Sequence, residues 1–103
     1  MYKDFIEAIH GKNKVELAFY SKEDNGNLVR ICAPMDYGPS RRAHDKSDRY
    51  HLWDYDSDQK WHTLSLLPEQ IISIKVLEEI FDPAEFVTWN TEWIINRDWG
   101  IYS

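Results

Sequence analysis

The apolar and polar positions along the chain follow two different periods. At the start, Phe5, Ile6 and Ile9 recur at helical spacing and Gly11 follows as a natural stop, which predicts a helix over residues 2–10. Further along, short runs rich in apolar residues, several of them alternating with polar ones, predict five strands at residues 14–20, 28–33, 49–55, 61–66 and 71–77. The chain is therefore predicted to be mostly β-sheet.

Turn and loop signals separate the predicted strands. Asn25-Gly26 is a strong reverse-turn signal, so the first two strands are expected to form a hairpin. Pro34 and the polar, charged stretch 38–48 interrupt the pattern and predict a loop. Turn residues at 56–59 are expected to join the third and fourth strands in a second hairpin.

The C-terminal end of the chain carries a helix-start signal. Asp82 fits an N-cap, Pro83 the first helical position, and Glu85 the partner position of a capping box. An aromatic stripe follows at helical spacing and consists of Phe86, Trp89 and Trp93. Residues 83–103 are therefore predicted to form a C-terminal helix that leads into a short aromatic tail.

Together these elements predict a mainly β fold of the α+β class. One helix, five short strands and a second helix are typical of a small SH3-like or Sm-like bent sheet or barrel, with an N-terminal and a C-terminal helix. A length of 103 residues leaves room for one domain, expected to span residues 1–103. The single Cys32 fits a reducing compartment. No apolar run is long enough for a signal sequence or a membrane span, so a cytoplasmic protein without membrane contact is predicted.

The charge pattern bears on possible partners. A formal net charge of -6 argues against a non-specific binder of duplex DNA, which usually has a basic footprint. The charge is uneven, however, because basic residues outnumber acidic ones between Tyr37 and His51, whereas the stretch from Glu78 to Glu92 contains no Lys or Arg. The sequence thus predicts either a mildly basic patch with an acidic end or two ordinary solvated surfaces.

The sequence shows no constellation that would carry catalysis. Its four histidines (His10, His44, His51 and His62) lack the spacing of a metal site, and one cysteine cannot form a thiolate cluster. There is no Gly-rich phosphate loop and no nucleophile that would pair with His51 as a base. We therefore predict a protein that is not an enzyme and that has no catalytic residues, no metal and no cofactor.

One segment resembles a known family. Residues 49–56 read Arg-Tyr-His-Leu-Trp-Asp-Tyr-Asp and are similar to the core strand of WYL domains, which are named for a Trp-Tyr-Leu triplet followed by Tyr-Asp. Leu52 and the Tyr55-Asp56 ending match, whereas Tyr50 and His51 stand at the first two triplet positions. Ala8-Ile9, Tyr20 and Pro34 also match. After the triplet, Pro68-Glu69-Gln70-Ile71, Ile74, Val76 and Phe81 occupy the positions of the family's later segment, so the resemblance covers about residues 5–86.

The resemblance implies an Sm-like barrel that senses a ligand or a nucleic acid as an accessory domain of bacterial or phage regulators. Family members usually follow a winged helix-turn-helix segment, which this chain does not contain. Two positions of the family's pocket differ here, because Gln70 stands where the family has an arginine and His51 where it has the central tyrosine of the triplet.

The first candidate site is a basic and aromatic patch. Arginine offers paired donors to a phosphate, and an aromatic ring offers a stacking face to a base, so the patch could bind a nucleotide or a short single strand of nucleic acid. Its residues are Arg41, Arg42, Arg49, Tyr50, His51 and Gln70. The alternative is a polar loop beside a strand whose aromatic residues fill the core. Strand alternation places Tyr50 and His51 on opposite faces, which makes a shared patch difficult.

The second candidate site is the aromatic C-terminus, composed of Trp89, Trp93, Trp99 and Tyr102. A helical stripe of this kind is usually core. Part of it could instead contact another protein or a second copy of the chain, since Trp and Tyr are favoured interface anchors. The sequence therefore leaves two functions open, a ligand-sensing or regulatory domain and a protein interaction or homo-oligomerisation module.

Overall fold

The chain begins with the predicted helix. A computed structural model describes residues 1–57 and 62–103. Helix α1 spans Tyr2–Gly11 and buries Phe5, Ala8 and Ile9. Its last residue is Gly11. Lys12 caps the helix, because its left-handed backbone (φ 55°) lets its N–H donate to the Ile9 carbonyl. In the described part of the chain, no helix has the length and apolar character needed to cross a membrane.

The five predicted strands form one antiparallel sheet. They are β1 (Asn13–Ser21), β2 (Gly26–Pro39), β3 (Asp48–Asp54), β4 (Thr63–Leu66) and β5 (Ile71–Ile80). Their order in the sheet is β4-β3-β2-β1-β5, so the prediction of a mainly β fold is confirmed. The first predicted residue of β4, residue 61, and part of the 56–59 turn lie outside the described residues.

The barrel alternative is wrong. Among the described residues β4 and β5 each pair with one neighbour only, so they are open edges of the sheet. Closure would require these two strands to pair. Strand β4 is only 4 residues long and is followed by a short 3-10 turn at Pro68–Gln70, so it offers little backbone for such a pairing.

Strand β2 continues six residues past its predicted end (14 residues in all) and passes through Pro34. It can do so because its two halves have different partners: residues 26–32 pair with β1, and residues 32–39 pair with β3. Pro34 therefore lies beyond the last partner in β1, where its missing N–H costs no ladder hydrogen bond on that side. The polar loop shrinks to residues between Pro39 and Asp48.

The predicted C-terminal helix is wrong. Asp82 does form the predicted N-cap, since it accepts a hydrogen bond from the Ala84 N–H at 3.0 Å. However, only a single 3-10 turn follows, at Pro83–Glu85. Apart from a second such turn at Gly100–Tyr102, residues 86–103 have no helix. The run after Glu85 (Phe-Val-Thr-Trp-Asn-Thr) consists of weak helix formers, and its backbone groups find partners elsewhere.

A buried ion pair, and not a helix, holds the C-terminal segment (residues 86–103) in place. Asp36, on β2, accepts hydrogen bonds from the N–H groups of Ile94 at 2.9 Å and Ile95 at 3.0 Å. Its carboxylate also lies 3.3 Å from Nη2 of Arg97, whose side chain is fully buried. Arg97 Nη1 donates in addition to the Met35 carbonyl. We call this arrangement the Asp36–Arg97 clamp.

Aromatic rings enclose the arginine of the clamp. The Arg97 guanidinium lies 4.3 Å from the Trp93 ring centre and 4.4 Å from that of Trp99, a cation–π sandwich. Burial lowers the pKa of Arg97 to about 10, and the nearby charge of Asp36 opposes that shift. The Trp99 indole N–H donates to the Ile9 carbonyl of α1 at 2.9 Å, so the C-terminal segment is tied to the helix as well as to the sheet.

We expect the substitution Asp36→Asn to lower the free energy of unfolding by about 3–5 kcal/mol, because it leaves the buried Arg97 charge without its partner. Asp4→Asn, at an exposed position of α1, is the matched control and should change stability by less than about 1 kcal/mol. Urea unfolding followed by tryptophan fluorescence measures both. Equal, small effects of the two substitutions would show that the clamp contributes little.

Candidate ligand-binding cleft

The clamp holds the C-terminal segment against the sheet so that a cleft of about 520 Å³ opens between that segment, strand β3 and the 40–47 loop. The loop contributes Arg41 and Arg42, and the C-terminal segment contributes Trp89 and Trp93. We call this site the Arg–Trp cleft. It brings together residues that the sequence assigned to two separate candidate sites.

His51 forms part of the cleft lining from strand β3. Its Nε2 lies 2.9 Å from the Gly38 carbonyl, and its Nδ1 lies 2.8 Å from the Ser65 hydroxyl. Because a carbonyl only accepts hydrogen bonds, Nε2 is the donor, and in the neutral ring Nδ1 accepts from Ser65. Both ring nitrogens are therefore engaged, which fixes the imidazole and leaves it poorly placed to act as a general base.

Gly38 allows the C-terminal segment to approach β2 closely. Its φ of +152° lies in a region that side chains rarely adopt, and a Cβ added there would come within 2.4 Å of Ile94 Cδ1. Any larger residue would strain the backbone at this φ and would require the Ile94 side chain to turn away. Ile94 is one of the two residues that donate backbone hydrogen bonds to Asp36, so this close approach lies beside the clamp.

An exposed ion pair bridges the loop and the C-terminal segment at the cleft. Arg41 Nη2 lies 2.6 Å from Glu92 Oε2, and the two side chains are 76% and 72% exposed. Arg42, next to it, is also exposed, and within residues 1–57 and 62–103 its guanidinium has no ion pair. The cleft thus has two cations: Arg41, whose ion pair can exchange, and Arg42, which has no ion pair in the described part of the chain.

The aromatic wall of the cleft has one accessible ring. Trp89 is 46% exposed and meets Trp93 edge to face, with ring centres 5.9 Å apart. Trp93 is half-buried, and its indole N–H donates to the Tyr102 carbonyl at 2.8 Å. Trp93 therefore supports the wall, and Trp89 is the exposed ring on which a planar ligand could stack.

Three residues of the predicted basic patch lie outside the cleft. Tyr50 is buried in the core, edge to face with Phe5 at 4.9 Å, as the alternation of β3 predicts. The Arg49 guanidinium turns toward the Ser65 carbonyl, 3.5 Å away. Gln70 Oε1 accepts from the Leu67 N–H at 3.0 Å and so closes the Pro68–Gln70 turn.

The aromatic C-terminus is divided between core and surface. Trp99 is 3% exposed and packs against Phe81 and Phe86. Tyr102 is partly buried against the core. Of the four aromatic residues in this candidate site, Trp89 alone is classed as exposed. The surface available to a protein partner is accordingly smaller than the sequence suggested.

Sequence reasoning missed Asp36, Arg97 and the role of Glu92. Asp36 and Arg97 are 61 positions apart and belong to no motif, so nothing in the pattern signals that they pair. For Glu92 the sequence pattern indicates only a place in an acidic stretch. The adjacent pair Arg41-Arg42 was the one local signal for the site.

A second cavity among the described residues is poorly suited to an anion. It has a volume of about 290 Å³ and carries Glu23, Asp24 and Asp54 beside a single Arg30, so it would repel a phosphate. Burial raises the pKa of Asp54, and it also raises the pKa of the Cys32 thiol, which disfavours the nucleophilic thiolate. No three metal-ligating side chains converge among the residues described.

Comparison with known proteins adds no assignment. No family model, no curated protein and no solved structure matches the chain. The resemblance to WYL domains therefore stays a prediction, and the function has to be argued from the cleft itself.

We expect Glu92→Gln to change the free energy of unfolding by less than about 1 kcal/mol, because exposed ion pairs are screened by solvent and salt. His51→Ala should cost about 1–3 kcal/mol, since it leaves two polar groups without their partner. Thermal or urea unfolding of the two variants measures the contrast. A cost for Glu92→Gln as large as that for His51→Ala would mean that the ion pair is structural and does not exchange.

Proposed function

We propose that this chain is a non-catalytic ligand-sensing or regulatory domain that binds a nucleotide in the Arg–Trp cleft, either free or as part of single-stranded nucleic acid. The observation that carries the proposal is the meeting of two neighbouring arginines and an exposed tryptophan at one cleft. A nucleotide is a common ligand that has both an anionic and a flat aromatic part.

The arginine side of the cleft suits a phosphate. A guanidinium offers donors in a planar fork that matches two phosphate oxygens. Arg42 is available without displacing any ion pair in the described part of the chain, and Arg41 becomes available when its exposed contact with Glu92 exchanges. The net charge of -6 weakens long-range attraction, so this short-range pair of cations would have to supply most of the phosphate binding.

The tryptophan side suits a base. Stacking of a base on an aromatic ring is worth about 1–3 kcal/mol and tolerates every base, because each has a flat face. A cleft of about 520 Å³ falls within the size range of small-molecule sites and is large enough for one nucleotide. This predicts a site for a single nucleotide unit with little base preference.

The likeness to WYL domains, and to SH3-like or Sm-like sheets, belongs to the same proposal. It rests on the sequence of the 49–56 segment and on the matching residues Ala8-Ile9, Tyr20 and Pro34. A sensing role and a cytoplasmic location would agree with this likeness. The binding argument does not depend on it, since it uses only the side chains of the cleft.

The interaction-module alternative has weaker support. Trp99 is core, and Trp93 is half-buried against Arg97. Exposed apolar residues do occur elsewhere, with Ile72 at 56% and Ile80 at 66% on the open edge strand β5. Two register irregularities interrupt the pairing of β5 with β1, a feature that natural edge strands use against pairing with another chain.

Fluorescence anisotropy of a labelled short single strand, with DNA and RNA in separate titrations, tests the proposal. We expect Trp89→Ala to weaken binding by about 5- to 150-fold, the loss of one stacked base. Arg42→Gln should weaken binding at low salt and should lower the slope of log affinity against log salt by about one.

Two variants, one near the end of β1 and one in the turn that follows it, serve as matched controls. Lys22→Gln removes one exposed positive charge, and Tyr20→Ala removes one exposed aromatic ring, both at positions outside the cleft. Neither should change the affinity by more than about twofold. The proposal fails if the wild-type protein does not bind at low salt, or if the control variants lose as much affinity as the cleft variants.

A further inference from the structure

A histidine and a serine on neighbouring strands line the Arg–Trp cleft and are hydrogen-bonded to each other. His51 lies on β3 and Ser65 on β4, and the two residues are register partners in the sheet. Resting on the proposed function, we infer that the His51–Ser65 pair is a proton-gated donor for the phosphate of the ligand. The cleft accordingly binds an anion more tightly when His51 is protonated.

In the neutral histidine the directions of both ring hydrogen bonds are fixed. The Gly38 carbonyl lies 2.9 Å from Nε2 and can only accept, so the ring proton is on Nε2. Nδ1 lies 2.8 Å from Ser65 Oγ, and its lone pair accepts the hydroxyl hydrogen. The Ser65 O–H therefore points at the imidazole and is not available to a ligand.

Protonation of Nδ1 reverses the bond to the serine. An imidazolium donates from both nitrogens, so the bond to Gly38 stays and Ser65 Oγ becomes the acceptor. The hydroxyl hydrogen must then turn elsewhere. Among the described residues, His51 is the single hydrogen-bond partner of Ser65 Oγ, so the hydrogen finds no other acceptor in this part of the protein. Because Ser65 lines the cleft, its O–H can donate to an anion bound there.

The charged groups around His51 couple its protonation to the binding of an anion. Asp36 is its register partner on β2, and Arg49 lies two residues before it, with the guanidinium 3.5 Å from the Ser65 carbonyl. The 40–47 loop and the C-terminal segment add Arg41, Arg42, Glu92 and Arg97. Four arginines and two carboxylates give this region a positive surplus. A bound phosphate offsets the surplus, so the phosphate and the proton on His51 should favour each other's binding.

Fluorescence anisotropy of a short thymidine strand with a 5′-hydroxyl and a pH-insensitive label tests the inference. Titrations at about pH 8 and about pH 6, at equal ionic strength, span the range in which histidine ordinarily changes its charge. The phosphodiesters and the thymine bases keep their charge over this range, so a change in affinity comes from the protein. With the wild-type protein we expect at least about threefold tighter binding at the lower pH, the effect of one added charge about 6 Å away in water.

Calorimetry supplies a second readout that needs no variant. The heat of binding in two buffers of different ionisation enthalpy gives the number of protons that the complex takes up. Between about pH 6 and 8 the wild-type protein should take up a fraction of a proton when it binds the strand, because the ligand favours the imidazolium. Binding without proton uptake would contradict the inference.

His51→Gln removes the titrating group, and His44→Gln is its matched control. The affinity of His51→Gln should be the same at both pH values, and the variant should take up no proton, because an amide does not titrate in this range. His44 is exposed on the loop and is not part of the cleft lining, so His44→Gln should keep the wild-type ratio of affinities.

Ser65→Ala separates the hydroxyl donor from the charge of the imidazolium. We expect it to weaken binding by about 2- to 10-fold at about pH 6, where the hydroxyl is free to donate, and by less than about twofold at about pH 8. Ser73→Ala, at an exposed position of β5 outside the cleft, is its control and should change neither affinity by more than about twofold. Each variant needs a folded baseline at both pH values.

The outcomes separate this inference from the proposed function. If the wild-type protein binds the strand equally well at both pH values, or if His51→Gln keeps the wild-type ratio, the inference is wrong while nucleotide binding stands. The same holds if Ser65→Ala has equal effects at both pH values. Should His51→Gln not fold, the proton uptake of the wild-type protein and the Ser65→Ala titrations decide. If the wild-type protein does not bind the strand at either pH at low salt, both the inference and the proposed function are wrong.

Discussion

The structure depends on one buried ion pair, the contact between Asp36 and Arg97. Residues 86–99 have no regular secondary structure, so their backbone groups need partners from the rest of the protein. Asp36 supplies two of them through the N–H groups of Ile94 and Ile95, and Arg97 fills the space between two tryptophan rings. A buried charge is tolerated only when it is paired and hydrogen-bonded, and here both conditions are met.

The position of the Arg–Trp cleft follows from this clamp. The ion pair fixes the C-terminal segment across β2, and Gly38 leaves the room that Ile94 needs to lie there. Trp89 and Glu92 consequently stand opposite the loop that carries Arg41. The two arginine–carboxylate pairs thus have different roles. The Asp36–Arg97 clamp is buried and holds the fold, whereas the Arg41–Glu92 pair is exposed and can exchange. A binding site benefits from a rigid frame with exchangeable contacts at its mouth.

Local patterns predicted the regular part of this fold and only half of the site. Helix α1 and the five strands follow from periodicity, and the alternation of β3 correctly separates buried Tyr50 from His51. The prediction of a C-terminal helix was wrong because the capping signal is local. The residues after Glu85 are weak helix formers, and the N–H groups of Ile94 and Ile95 bond to Asp36 instead. The continuation of β2 through Pro34 depends on which strand lies on each side, which is tertiary information. The Arg41-Arg42 pair was visible in the sequence, but its proximity to Trp89 depends on the clamp.

The most direct test of the cleft as a nucleotide site is a ¹H–¹⁵N NMR titration of the wild-type protein with a nucleoside 5′-monophosphate, followed at the tryptophan indole N–H groups. The account predicts that the Trp89 resonance moves most and in a saturable way, because Trp89 is the exposed tryptophan of the cleft lining. The Trp53 resonance should stay unchanged, since that ring is stacked between His62 and Phe86 and is no part of the cleft. No shift at Trp89 at saturating ligand, or a larger shift at Trp53, would contradict the account.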